Sequence, residues 1–147
     1  MSIPPIDQDP QINFFTEDIQ FELQNESKIA DWIKSVIEEN DKQLTTLNFI
    51  LTSDKEVHRI NKQYLQHDTY TDIITFPMSE TEVIKGDIFV SIDRIKDNAK
   101  KLNVKFENEL HRVLIHGVLH LIGYDDKTPE LKQAMRNEED ACLKKFI

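Results

Sequence analysis

Cysteine is almost missing from this 147-residue sequence, which holds only Cys142. An internal disulfide is therefore excluded, and a reducing compartment, the cytoplasm, is the expected setting. That one cysteine reads as a small half-buried residue on a terminal helix rather than a reactive thiol. Glycine is scarce too, at three residues, which sets aside collagen-like, Gly-rich and fibrous classes. No apolar run approaches the roughly 20 residues that a membrane span needs, so no membrane contact is expected. Met1–Pro10 lacks the basic start and apolar stretch of a signal peptide. Bases are outnumbered, with 18 Lys and Arg against 27 Asp and Glu, for a net charge of −9. Over the whole chain that argues against a polyanionic partner. The deficit is concentrated, however: residues 1–40 carry nine acids and two bases, while residues 41–147 carry eighteen and sixteen. A basic surface beyond residue 40 stays open, and composition neither predicts nor excludes nucleic-acid binding.

What is present is a globular mix, 39% hydrophobic and 31% charged. The length suits one domain over residues 1–147, with no repeat or Pro/Gly/Ser linker to divide it. Residues 1–10 hold three of the five prolines and are expected to lie loosely on the surface. Alternation in Ile19, Phe21 and Leu23, after Phe14 and Phe15, predicts one strand or a hairpin over Ile12–Leu23. Ser27 is the expected cap of a helix to about Asn40. Leu44–Leu51 reads as a strand, and Ser53 or Asp54 opens a helix towards Leu65. Asp72–Pro77 and Gly86–Ile92 read as short strands, followed by helices over Asp93–Leu102 and Phe106–Ile122. Thr128 and Pro129 then start a last helix. Strands alternating with helices predict an α/β or α+β layer fold with about four strands.

The segment richest in chemistry runs from His111 to Asp126. His116 and His120 are four apart, so a helix turning about 100° per residue stacks them on one stripe. Their imidazoles can aim at one point, as metal ligands must. Gly123 lets the backbone turn sharply, which can bring Asp126 back towards that point. The result is a two-histidine, one-carboxylate site with coordination positions left open. Two hydrogen-bonded core histidines are the plainer reading of the spacing alone; the glycine and the offset carboxylate tip it towards metal. His111 faces roughly 140° away from His116 and reads as structural or exposed. Arg112 and Glu109 lie on the metal stripe, as neighbours of the ligands, substrate-facing groups or a solvated helix end.

An open metal site lowers the pKa of bound water and polarises carbonyl or phosphoryl oxygens. The spacing resembles the metzincin metallopeptidase pattern His-Glu-x-x-His-x-x-Gly-x-x-His/Asp. That pattern needs a glutamate base directly after the first histidine, and here Gly117 stands there. Phosphodiester hydrolysis leans more on charge stabilisation and tolerates the loss better.

At these residues the chain resembles the YbeY family, bacterial metal-dependent endoribonucleases of ribosomal RNA maturation. The family signature His-Gly-x-Leu-His-Leu-x-Gly-Tyr-Asp-His stands here as His116-Gly-Val-Leu-His120-Leu-Ile-Gly123-Tyr-Asp125-Asp126, matching at ten of eleven positions. The family block Tyr-Arg-Gly-Lys-Asp-x-Pro-Thr-Asp-Val-Leu-Ser-Phe-Pro is similar to Tyr64-Leu-Gln-His67-Asp68-Thr-Tyr-Thr71-Asp72-Ile-Ile-Thr75-Phe76-Pro77, and Gly86-Asp87-Ile88 matches a strand start. The resemblance covers nearly the whole chain from about residue 12.

It implies an α+β fold, a small mixed sheet of about four strands covered by helices, with the metal site at the end of a central helix. It implies cleavage of single-stranded RNA in small-subunit ribosomal RNA maturation, in contact with the small ribosomal subunit; DNA is not an expected partner. One divalent ion is expected on His116, His120 and Asp126, zinc first, with nickel, manganese or magnesium as alternatives. Asp126 replaces the family's third histidine, and its charge favours harder ions somewhat more. Leu65 occupies the place of a family arginine. His67, at the family lysine position, and Arg112 are the substitutes for phosphate contact, while His67 can instead cap a turn with Asp68. Asp125 either handles protons or only orients the loop. Arg94, Lys96, Lys100, Lys101 and Lys105 are the bases offered for RNA, or an ordinary solvated face. Two other readings stand beside the nuclease: a non-catalytic ribosome-assembly factor with a structural metal, and a metallopeptidase.

Overall fold

The computed structural model describes residues 10–79 and 82–146. The loose segment expected over residues 1–10 lies, apart from Pro10, outside the described residues. Four strands and five helices occur among the described residues, in the order β1 (Gln11–Thr16), α1 (Glu26–Glu39), β2 (Gln43–Thr52), α2 (Asp54–Leu65), β3 (Ile73–Pro77), β4 (Val83–Ser91), α3 (Ile92–Leu102), α4 (Phe106–Ile122) and α5 (Pro129–Phe146). The sheet order is β1-β2-β4-β3, with β1 and β4 parallel to β2 and β3 antiparallel to β4. This is the mixed, four-stranded α+β architecture that the sequence predicts. Parallel neighbours need a crossover, and α1 supplies the one between β1 and β2.

Side chains alternate across the sheet and sort its faces. Ile73, Ile88 and Val90 join the large core with α1, α3, α4 and α5, whereas Ile74, Phe76 and Phe89 pack with Val57 and Ile60 of α2. Where α2 does not reach, β1, β2 and β4 carry a polar ladder instead. Asn13 donates to Asn48 at 3.0 Å, and Asn48 donates to Asp87 at 3.1 Å. Near the middle of the larger core, α4 buries Leu110, Val113, Leu114, Ile115, Gly117, Val118, Leu119 and Ile122. A helix apolar on so many sides must be enclosed, and α4 accordingly contacts α1, α3, α5, β3 and β4.

The predicted strand or hairpin over Ile12–Leu23 is corrected. Only Gln11–Thr16 pairs. β2 ends at Thr52, Glu17 N–H makes one last bond to Leu51 O, and Asp18 then takes a left-handed φ of 61°. Ile19, Phe21 and Leu23 still pack on the core, so their alternation reports burial without a ladder. Helix α1 begins one residue before the predicted cap Ser27, with left-handed Asn25 ahead of it and no side-chain cap. Ser53 and Ser91 cap α2 and α3 by accepting from Glu56 N–H and Arg94 N–H. Thr128 Oγ1 accepts from Leu131 N–H at 3.1 Å and starts α5 as predicted.

Two outcomes follow from this packing. A Cβ on Gly86 would stand 2.4 Å from Phe76 O, a backbone atom that cannot swing away. Gly86→Ala is expected to cost on the order of 2 kcal/mol in denaturant unfolding, and an unchanged midpoint would contradict the strand spacing. Cys142 is buried rather than half-buried, and burial, with Glu138 beside it, pushes its thiol up to about 12. At pH 8 the native protein should react with a thiol reagent at least about 100-fold more slowly than the unfolded chain, followed by absorbance.

Candidate metal centre

Burial of α4 fixes where its polar stripe points. His116 and His120 leave the last turns of the helix with side chains 24% and 30% exposed, and their rings lie 4.7 Å apart at 81°. The helix then stops at Gly123, whose φ of 128° is hostile to other residues. Its N–H donates to His120 O and Leu119 O, and Tyr124 N–H donates to Leu119 O. The chain reverses, and Asp126 Oδ2 comes to 3.6 Å from His116 Nε2 and 3.5 Å from His120 Nε2. One ligand atom from each of the three residues lies within 4.8 Å of the others, a group that could hold a metal ion. A tetrahedral zinc with ligands at about 2.0–2.1 Å sets neighbouring ligand atoms about 3.3–3.4 Å apart, so two edges already approach that spacing. Two imidazoles and a carboxylate are also a donor set that zinc accepts. The residues fit the ion.

Asp125 supports the turn. Its Oδ1 accepts from Asp126 N–H at 2.7 Å and from Lys127 N–H at 3.2 Å, which favours the loop-orienting alternative. Arg112 lies on the metal stripe as the spacing predicts, but two carboxylates hold it: Nη1 donates to Glu139 Oε1 at 2.9 Å and Nη2 to Asp140 Oδ1 at 2.7 Å. His67 is exposed just past the left-handed residue Gln66 that ends α2, and it does not line the cleft beside His116. The turn pairing with Asp68 belongs instead to His58, whose Nε2 lies 2.8 Å from Asp68 Oδ1. Leu65 is 40% exposed on α2. His111 packs against Trp32 and Phe146, away from the metal stripe, and burial lowers its pKa.

A cleft of about 300 Å³ opens at His116 and Asp126. Asp72 and Ile73 border it at the start of β3, Glu109 and Arg112 along α4, and Lys132, Arg136 and Glu139 along α5. None of the bases Arg94, Lys96, Lys100, Lys101 and Lys105 lines it. Arg94 is held by Asp54 at 2.7 Å, and Lys101 by Asp97 at 3.0 Å. The cations at the cleft are Arg112, Lys132 and Arg136.

Burial raises the Asp72 carboxyl, and it raises Glu109 with help from the charge of Asp72. Glu139 goes the other way: burial opposes ionisation, but hydrogen bonds from His116 and Arg112 outweigh it and hold the carboxyl down. For His116, burial works against protonation, and Glu139, whose Oε2 lies 2.7 Å from Nδ1, overcomes that and raises the imidazole.

Sequence reasoning missed the whole α5 contribution, together with Asp72. One signal was available. Met135, Glu139 and Cys142 recur at helical spacing, so a glutamate sits in an otherwise buried stripe. The peptidase reading loses ground at Gly117, where even a Cβ would meet Ile73 Cδ1 at 2.7 Å and Ile88 Cδ1 at 3.3 Å. A glutamate there would enter the sheet rather than the cleft.

Comparison with known proteins bears on the same residues. The family described as Endoribonuclease YbeY matches residues 11–147. The chain belongs to the YbeY family. Among YbeY relatives, a protein of Amoebophilus asiaticus named Endoribonuclease YbeY is 50% identical over 133 residues, covering 90% of each chain. Another of that name from Cytophaga hutchinsonii is 47% identical over 133 residues, covering 90% of this chain and 93% of its own. The solution structure of TM1509 from Thermotoga maritima superimposes with a TM-score of 0.60 at 27% identity, covering 92% of this chain and 91% of that one. The family named for endoribonucleases thus supplies the coarse chemistry, hydrolysis of RNA.

The geometry makes a direct prediction. Zinc at about 100 times its Kd should stabilise the protein by about 2.7 kcal/mol, seen as a raised melting midpoint. His116→Ala and His120→Ala should each abolish the shift, and Asp126→Asn should reduce it. Equal shifts in all three variants would show that zinc binds elsewhere.

Proposed function

We propose that this chain, as one domain over residues 1–147, is a metal-dependent endoribonuclease that cuts single-stranded RNA during maturation of small-subunit ribosomal RNA in the cytoplasm. The observation that carries the reading is the convergence of His116 Nε2, His120 Nε2 and Asp126 Oδ2 beside an open, charged cleft, in a chain of the YbeY family. His116, His120 and Asp126 would hold the cation, with zinc the first choice and nickel, manganese or magnesium as alternatives. A divalent cation there supplies Lewis acidity towards a phosphodiester and lowers the pKa of water.

The remaining work falls to the protein. Lys132 and Arg136 face the cleft from α5 and can draw RNA phosphates to it. Arg112, tied to Glu139 and Asp140, braces α4 against α5 more than it offers a free charge. Asp125 orders the loop that presents Asp126. His67, past the end of α2, does not border the cleft and is assigned no step. The charged lining of the cleft suits a phosphate backbone rather than a buried apolar ligand.

One observation favours a second reading. Leu65 stands where the family places an arginine, and Arg112, the other substitute, is held by two carboxylates. A ribosome-assembly factor with a structural metal would tolerate both features. The two readings part on cleavage. Zinc-loaded protein should cut a single-stranded oligoribonucleotide and spare its duplex, while chelator or His116→Ala should remove the activity. RNA left intact by the zinc-loaded protein, with ribosome binding retained, would establish the assembly factor instead. Within the nuclease reading, Lys132→Ala and Arg136→Ala should each raise KM about 3–10-fold with little change in kcat, measured on the same oligonucleotide.

A further inference from the structure

Glu139 is 4% exposed and is the one charged residue among the buried positions of α5, beside Met135 and Cys142. A carboxylate so placed is costly unless every oxygen is matched. Here Oε1 accepts from Arg112 Nη1 at 2.9 Å, and Oε2 lies 2.7 Å from His116 Nδ1. With an arginine on one oxygen the group is ionised, and an ionised carboxylate only accepts. The proton in the Glu139–His116 contact therefore sits on Nδ1. That leaves Nε2, the nitrogen 3.6 Å from Asp126 Oδ2, as the ring atom whose lone pair is free for a cation. His120 has no such acceptor on Nδ1 among the described residues, so the two histidines are held unequally.

We infer that Glu139 is a positioning residue of the metal centre: from α5 it holds His116 Nδ1–H, aims Nε2 at Asp126, and thereby sets the affinity for a divalent cation. Arg112 holds Glu139 in turn. The inference rests on reading His116, His120 and Asp126 as a metal centre, and it extends that centre to a helix that contributes no ligand. The competing account is that Glu139 only docks α5 on α4 through Arg112. Both accounts expect lower stability when Glu139 is replaced. Only the positioning role ties Glu139 to the ring tautomer and to metal affinity.

The experiment uses the full chain, zinc ion in competition with a chromophoric chelator, and nitrogen NMR of the imidazoles in metal-free protein. Glu139→Leu removes the acceptor, while Glu139→Gln keeps an oxygen and removes the charge. The leucine variant should bind zinc on the order of 10–100-fold more weakly, with His116 no longer fixed as the Nδ1–H tautomer. In the glutamine variant Arg112, which can only donate, takes the one oxygen and turns the amide N–H2 towards Nδ1. This variant too should lose the Nδ1–H tautomer and bind zinc on the order of 10–100-fold more weakly. Affinities within about two-fold of the parent, or a weakened leucine variant with an unaltered His116 tautomer, overturn the inference. If the leucine variant does not fold, the glutamine variant decides, and undiminished affinity there overturns it. A parent chain that binds no zinc overturns the metal centre and this extension together, a failure distinguished by the parent titration alone.

Discussion

Burial of α4 is the constraint on which the site depends. Nine of its residues are buried, Glu109 among them, so the helix cannot rotate without exposing part of the core. The directions of His116 and His120 are fixed by that packing before any ligand arrives. One turn between them does the rest, since residues four apart on a helix already share a face. The third ligand needs only a reversal of the chain, and the glycine at φ 128° provides it within three residues. Asp125 then ties the loop to itself, so Asp126 does not depend on distant packing.

How much of this was legible follows from the range of each interaction. The triad lies within eleven residues, and its geometry is set by helical pitch and one special dihedral, so the sequence reveals it directly. Helix α4 likewise begins and ends where its apolar pattern does. Ile19–Leu23 misled because alternation measures burial, whereas a strand also needs a neighbour, and β2 has ended by then. Arg112 was placed on the correct stripe, but its partners Glu139 and Asp140 come from a helix 27 and 28 residues away. Nothing local announces that pairing. The same limit hid Lys132, Arg136 and Asp72, which meet only after α5 and β3 dock beside α4.

Charge remains the unusual feature. The chain is acidic overall at −9, and at the cleft Arg112, Lys132 and Arg136 are set against Asp72, Glu109, Asp126 and Glu139. Arg112 offsets the charge of Glu139, and burial raises the Asp72 and Glu109 carboxyls. The cleft therefore sets bases against acids rather than presenting a field of one sign. Burial here changes the electrostatics as much as it changes packing.

On the nuclease reading, this balance determines how RNA would be engaged. Strong long-range steering needs a field of one sign over a wide surface, and α3, where Arg94 and Lys101 are paired with Asp54 and Asp97, does not provide one. Attraction to a phosphate would then be short-ranged, from a cation that His116, His120 and Asp126 would hold and from Lys132 and Arg136 of α5. On the resemblance, Asp126 stands where the signature has a histidine, which would lower the net charge of a bound divalent site by one, and Leu65 stands where the family block has an arginine. Both departures act in the same direction, against capture of free RNA from solution. A site with that electrostatics works best on RNA already held by other contacts, as a strand fixed within a ribosomal particle is. The proposed action on ribosomal RNA and a cleft of mixed charge are thus compatible. An acidic chain can act on a polyanion when positioning, rather than steering, brings the two together.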